Sequence, residues 1–598
     1  MPPVTTTRAP APSAVPPPRP QDSFRETVES IVVAFILAFL FRSFLAEAFV
    51  IPTGSMAPTL FGRHKDVRCP QCGFVYEVGA SEELDDEGVR LVSRIRQATC
   101  PNCRYTADVY ELPAFKGDRI LVNKFPYEWG KIRRWDVCVF KYPEWPERNY
   151  IKRMIGLPGE TIRISRGDVY ARREGEATFE ILRKEDPWKQ DRLQIVVYDD
   201  RYPPRKLLQA GWPERWAGMT LTDQEDPSAI AGWIETTEGV VAEPQRRSYT
   251  VVAEQTPRWL RYRHYQPTEL DWEAWTQGEA VDGPAPRLIT DFYAYNSSHR
   301  SPPDDVFWVG DLTISGVVEV LHLQPEAEWW LELVEGIRQY RCRIDLHTGR
   351  AELSHNNELL PGGEPIVLGT AQTPIRGIGR YSFTFANVDD RLCLWINRRL
   401  ISFERQGTYS APAIPDPQPA DLTPVGLAAR QATLRFSRLV LKRDIYYRAE
   451  RVDNLAAYRT GDGEDLDEFT RAQLRDALSS PEEYADIYNR KAGAVEFAPL
   501  QAGEYFVMGD NSPRSQDSRL WSNQRGAVNR HAVPRSAMVG KAFLVYWPHG
   551  IPFLNHGKGY GVWNHPVGDP RVENYPAFTI PFYPQAPAPF GRWLMRIR

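Results

Sequence analysis

Two short stretches bring together residues able to do nucleophilic chemistry. The first, "FVIPTGSMAPTL" at 49–60, sets Ser55 between Gly54 and Met56 at the end of an apolar run. The second, "NYIKRMIGLPGETIRI", sets Lys152 among Tyr150, Ile151, Met154 and Ile155. A serine hydroxyl is hardly ionised at neutral pH and needs a base to attack a carbonyl. The nearest histidine, His64, has no triad-like setting. A lysine can serve instead if burial brings its ammonium from about 10.4 down towards 7 or 8, a shift worth roughly 3 to 5 kcal/mol. A buried strand supplies such a site, and alternation along it sends Lys152 and Arg153 to opposite faces, one into the core and the other solvated or paired. Taken singly, the first stretch also reads as a plain turn and the second as surface charge on an edge strand.

The elements needed to position these residues follow from the rest of the chain. At 598 residues it exceeds one hydrophobic core and predicts two to four domains. Hydrophobic and charged shares of 42% and 25% are those of a folded protein, and 18 tryptophans and 51 prolines favour β-rich, loop-rich architecture. With 73 basic and 77 acidic residues, the net charge of -4 offers nucleic acid no general attraction, and none is expected as a partner. Residues 1–23 read as a disordered proline-rich tail. The run "IVVAFILAFLF" from Ile31, resumed as "FLAEAFVI", predicts a transmembrane helix over 24–48 if Arg42 and Glu47 reach the interface. A cleaved signal peptide and a buried core helix are the other readings of that run. Arg8, Arg19 and Arg25 ahead of it favour a cytoplasmic N-terminus.

Four segments in order, "IPTGSMAPTL", "KGDRILVNKF", "YIKRMIGLPGE" and "MGDNSPRSQDSR", resemble those of bacterial type I signal peptidases. The resemblance implies Ser55 as nucleophile, Lys152 as general base, Ser515 as a hydroxyl orienting the lysine, and the Ser55 N–H with the Thr53 hydroxyl as oxyanion donors. It also implies that Asp510, Asn511, Asp517, Arg519 and Arg153 support the site. Catalysis would need no cofactor. The substrates would be signal peptides of secretory preproteins, cut after small residues at the surface of the bacterial cytoplasmic membrane. Membrane lipid would surround the single-pass anchor, with the catalytic domain on the extracytoplasmic side.

The resemblance spans 24–60, 114–172 and 497–548, with the catalytic core expected over 49–60, 114–172 and 497–548 and two inserts between. In the first, 61–113, "CPQCGF" and "CPNCRY" place Cys69 and Cys72, then Cys100 and Cys103, in two knuckles separated by 27 residues. Paired knuckles suit a four-thiolate structural zinc and resemble a zinc ribbon; two disulfides are the alternative in an oxidising compartment. Cys138, Cys342 and Cys393 sit in apolar runs and read as buried thiols. The second insert, 173–450, shows period-two strands best defined over 306–447, a β-sandwich pattern. Through "YRCRIDLHTGR" and "DDRLCLWINRRLISF" it resembles laminin-G or concanavalin-like modules, which implies a glycan or protein ligand. A helical return segment follows over 451–496, with a helix from Asp465 to Tyr488, and a proline- and aromatic-rich tail closes the chain over 549–598. The expected fold is mainly β: a transmembrane helix, then an antiparallel catalytic core interrupted by both inserts. A restricted-substrate processing peptidase, or a catalytically silent receptor using the sandwich, would share this outline.

Overall fold

The computed structural model describes residues 23–40, 46–84, 92–130, 132–142, 145–184, 186–222, 226, 228–279, 284–298, 305–357, 363–412, 414–448, 468–491, 494–521, 529–547, 551–552, 579–580 and 595–597. The expected N-terminal tail and nearly all of the C-terminal tail lie outside these residues.

The chain is mainly β, as its alternating apolar pattern predicts. Seven strands form the main path of an antiparallel sheet: β1 Ala46–Val50, β2 Arg119–Asn123, β3 Val137–Lys141, β4 Asn149–Gly156, β5 Glu504–Met508, β6 Val533–Pro534 and β7 Met538–Trp547. Their spatial order is β1-β2-β7-β3-β4-β5-β6, and Met595–Arg596 adds to β7. Strand β3 reads "VCVFK" and is buried up to its terminal lysine because both faces are covered. Its register sets Cys138 opposite Lys152.

The helix expected over 24–48 does not run that far. Helix α1 spans Ser23–Leu40 and is about 27 Å long. By Ala46 the chain is already strand, paired in β1 with Asn123 of β2. Glu47, expected at a membrane interface, instead pairs with Lys124 at 2.8 Å. Among the described residues no helix is long and apolar enough to cross a membrane. The side chains of Val28, Ile31, Val32, Val33, Phe35, Ile36 and Leu37 on α1 are nevertheless exposed.

Both inserts are folded bodies. In the first, His64–Arg68 lies between Val75–Gly79 and Ala114–Phe115, while Gln97–Thr99 pairs with Thr106–Asp108. In the second, the long strands Leu312–Glu335 and Val425–Arg443 pair with each other and organise a 14-stranded assembly. Strands at Ile195–Asp199, Trp216–Leu221, Ser248–Ala253 and Arg258–Tyr262 join it, so the β region begins well before 306. The single return helix expected over Asp465–Tyr488 is two helices, α2 Glu468–Asp476 and α3 Pro481–Lys491. Pro481 disfavours helical backbone at Ser480 and restarts the helix at its own position. The chain on either side of the large insert and its return helices meets in a small sheet, where Val495–Glu496 pairs with Glu160–Ser165. Neighbouring ends allow a long insertion to leave the host sheet intact.

Candidate active site

Ser55 lies in a one-turn 3-10 helix, Gly54–Met56, all of whose residues are buried. The turn is pinned from both sides. Ile51 N–H donates to Asp118 O at 2.9 Å, and the Phe61 N–H donates to the Asp118 carboxylate at 2.9 Å. Asp118 belongs to the "KGDR" start of the second segment, so that segment braces the serine loop. Gly54 is required by packing: a Cβ there would lie 2.2 Å from the Tyr295 ring.

Strand β4 carries Lys152 to this turn. Its Nζ is 2.8 Å from Ser55 Oγ, and both residues are buried. Burial lowers the Lys152 ammonium from 10.5 to about 8, against the opposing charge of Asp517. A buried lysine at this distance can take the serine proton once it is neutral. The Tyr150 ring lies 5.5 Å from the same amine.

Arg153, on the other face of β4, is paired and fully inside. Its Nε and one terminal nitrogen each donate to Asp510 at 2.6 Å, and another donates to Trp135 O at 2.7 Å. Thr59 Oγ1 donates to the same carboxylate at 2.5 Å, which ties the serine loop to the final loop. A bidentate buried pair of this kind fixes position as well as charge.

The final loop continues the brace. Asn511 N–H donates to Ser55 O at 3.0 Å, and its side-chain amide donates to Gly54 O at 3.0 Å. Asp517 accepts from the Gly509 N–H at 2.9 Å and from Arg519 at 2.7 and 2.8 Å. Burial would raise the Asp517 carboxyl, but the Arg519 charge and hydrogen bonds outweigh it and hold the group below 3.8. Ser515 is fully buried, and its hydroxyl is close enough to the Asp517 carboxylate to help hold that group down. Thr53 is exposed in extended backbone, and its side chain makes no capping bond. Gly509 lets the loop approach, since a Cβ there would lie 2.4 Å from Ser55 O and 2.2 Å from Ser515 Oγ.

Sequence reasoning missed several of these contacts. Asp118 and Thr59 lay inside quoted segments, where a carboxylate and a hydroxyl among apolar residues were available signals. Tyr295, Asn296 and Arg448 belong to the large insert, and nothing local marks them. Arg448 pairs with Asp291 at 2.5 Å, while its N–H donates to Ser512 Oγ at 2.8 Å beside the final loop.

The two knuckles converge. Cys69 and Cys103 sulfurs lie 3.5 Å apart, and those of Cys72 and Cys100 lie 3.6 Å apart. All four lie within 4.8 Å of one another and are free thiols. A tetrahedron of 2.3 Å metal–sulfur bonds has edges of about 3.8 Å, so the set fits a four-thiolate metal. The knuckles share one design: the Gly73 N–H donates to Cys69 O and the Arg104 N–H to Cys100 O, each at 2.9 Å, with φ of 79° and 60° at those two residues. Cys138, Cys342 and Cys393 are buried as expected. A separate group, Asp168, Asp311 and Asp389, brings carboxylates equally close, with Asp389 paired to Lys184 at 2.9 Å.

The family described as "Signal peptidase, peptidase S26" matches residues 105–202 and 451–547. These contain Lys152, Arg153 and the final loop but not Ser55. Signal peptidase I of Pseudomonas aeruginosa is 33% identical over 168 residues, which are 26% of this chain and 39% of that protein. Signal peptidase I of Pseudomonas fluorescens is 34% identical over 143 residues, 22% of this chain and 31% of that protein. The chain thus spans about two fifths or less of the length of these two relatives. A carbohydrate-binding module from Bacillus subtilis covers 38% of this chain and 95% of its own at 12% identity, with a TM-score of 0.22, too low to inform on a ligand.

Proposed function

We propose that this chain is a serine endopeptidase that removes signal peptides from exported preproteins after small residues. The observation that carries the reading is the buried Lys152 amine 2.8 Å from the Ser55 hydroxyl. Neutral Lys152 accepts the Ser55 proton as Oγ attacks the scissile carbonyl. The Ser55 N–H and the Thr53 hydroxyl stabilise the oxyanion. Lysine then returns the proton to the leaving amine, and an acyl-enzyme remains on Ser55. The same lysine activates water for its hydrolysis, restoring the free hydroxyl. Ser515 steadies the lysine during these transfers, and the Arg153–Asp510 and Arg519–Asp517 pairs hold the two loops in register. An extended substrate would add to an exposed strand edge, with pockets reading alternate side chains.

Two further features belong to this reading. The exposed apolar side chains of α1 support association with a membrane, where preproteins emerge. The four thiolates of Cys69, Cys72, Cys100 and Cys103 would hold structural zinc, leaving no open position for catalysis.

Cleavage of a secretory preprotein in detergent or liposomes tests the proposal. Wild type is expected to cut after a small residue, as read from the new N-terminus, while folded Ser55→Ala and Lys152→Ala are silent. Substantial cleavage by Lys152→Ala would sink the dyad.

A further inference from the structure

The sandwich insert reaches into the catalytic turn. Its short helical segment Ala294–Asn296 packs there, with the Tyr295 ring over Gly54 and stacked on Phe61 at 5.6 Å. Asn296 and Asn511 form a reciprocal amide pair: each side-chain NH2 donates to the other's carbonyl oxygen at 2.8 Å. Asn511 uses its remaining amide hydrogen on Gly54 O, which also accepts from the Ala57 N–H at 3.1 Å.

Gly54 O and the Ser55 N–H belong to one planar trans peptide and point in opposite directions. Bonds that hold the oxygen therefore aim the hydrogen. Gly54 O accepts only, so Asn511 must present its NH2 group to it. Asn296 then offers a matched donor and acceptor to what is left, and a flipped Asn511 would set oxygen against oxygen at Gly54 and break the pair. Asn296 is itself held firmly. Its N–H donates to Tyr293 O at 2.9 Å, and the neighbouring Ser297 hydroxyl donates to Ala294 O at 2.7 Å while accepting from the Thr99 N–H at 2.9 Å.

We infer that Asn296, carried by the insert, is a positioning residue that acts through Asn511 to aim the Ser55 N–H as an oxyanion donor. The inference rests on the dyad reading above and deepens it. Loss of a whole oxyanion donor costs about 10²- to 10³-fold in kcat. Loosening one costs less, and about tenfold is expected for Asn296→Ala.

The test is a double-mutant cycle of Asn296→Ala and Asn511→Ala in the full chain. Preprotein cleavage and Ser55 acylation by p-nitrophenyl acetate, followed by mass spectrometry, are both measured. Asn296→Ala should lower kcat and the acylation rate about tenfold, leaving KM and the pH midpoint unchanged because Lys152 is untouched. The double variant should match Asn511→Ala alone. Wild-type rates within twofold for Asn296→Ala, losses that multiply in the double variant, or a moved pH midpoint would overturn the inference. If wild type acylates but cuts no preprotein, the signal-peptide reading falls while the cycle still judges Asn296 on acylation. If wild-type Ser55 is not acylated at all, both fall.

Discussion

Replacing Lys152 by methionine should stabilise the protein while abolishing cleavage, and the stabilisation should disappear at high pH. Burial lowers the folded-state ammonium from 10.5 to about 8. Below pH 8 both folded and unfolded chains carry the proton, and the folded chain bears the whole cost of burying it, about 3 kcal/mol at 1.4 kcal/mol per pH unit. Between about pH 8 and 10.5 the unfolded chain binds a proton that the folded one has released, so stability rises with pH. Above 10.5 both are neutral and the cost is gone. Methionine has similar length and no charge; its one loss is the bond to Ser55, worth about 1 kcal/mol. The variant should therefore be about 2 kcal/mol more stable at pH 7, and that margin should be lost or reversed by pH 10.5. Melting both proteins in one detergent at the two pH values measures the difference, in which other titrating groups cancel. The wild-type cleavage rate should climb with pH to a plateau above about 8. At pH 7 about one lysine in ten is then neutral, roughly 300-fold more than at a value of 10.5. A variant less stable at pH 7, a margin that ignores pH, or a rate still climbing towards 10.5 would refute the reasoning.

Three other outcomes are expected. Asp510→Ala leaves Arg153 buried without its carboxylate and should cost about 3 to 5 kcal/mol, seen as a lower melting temperature; an unchanged melting curve would contradict the pairing. Gly509→Ala must displace the Ser55 carbonyl or the loop, because one obstacle is backbone, and should lower kcat/KM about 100-fold; a loss under threefold would show that the loop yields freely. Metal analysis should find one zinc per chain, lost with destabilisation in Cys100→Ser; zinc-free protein with two mapped disulfides would remove the metal reading.

The site was legible where the chemistry demands unusual residues in a short span. Ser55 in a glycine-bearing turn, Lys152 in an apolar strand and the crowded polar loop after Met508 each stand out, and the paired knuckles announce their thiols by spacing alone. The end of α1 was not legible. "FLAEAFVI" continues the apolar composition of the helix, and only pairing with β2, which contributes no local signal, turns Ala46–Val50 into a strand. The break at Pro481 was legible in principle, because the ring excludes helical backbone before it. The strands between Ile195 and Tyr262 are short and interrupted, and they join the sheet mainly through the long strand Val425–Arg443.

Asn296 marks the limit of local reading. It lies 215 positions from Asn511, and an asparagine beside serines reads as a loop. Its placement follows from where the insert begins and ends. The chain before the insert and the chain after its return helices pair at Glu160–Ser165 and Val495–Glu496, so the insert leaves and rejoins the core at one place. A tether alone would leave the insert free to swing, yet polar links also cross the boundary, among them the half-buried pair Asn296–Asn511 and the buried bonds from Arg448 to Ser512 and from Arg519 to the Arg448 carbonyl. Each of these ends on the loop that also holds Ser55 or Asp517. Displacing the insert would leave these polar groups unpaired, so the serine turn and the sandwich are expected to keep or lose their geometry together.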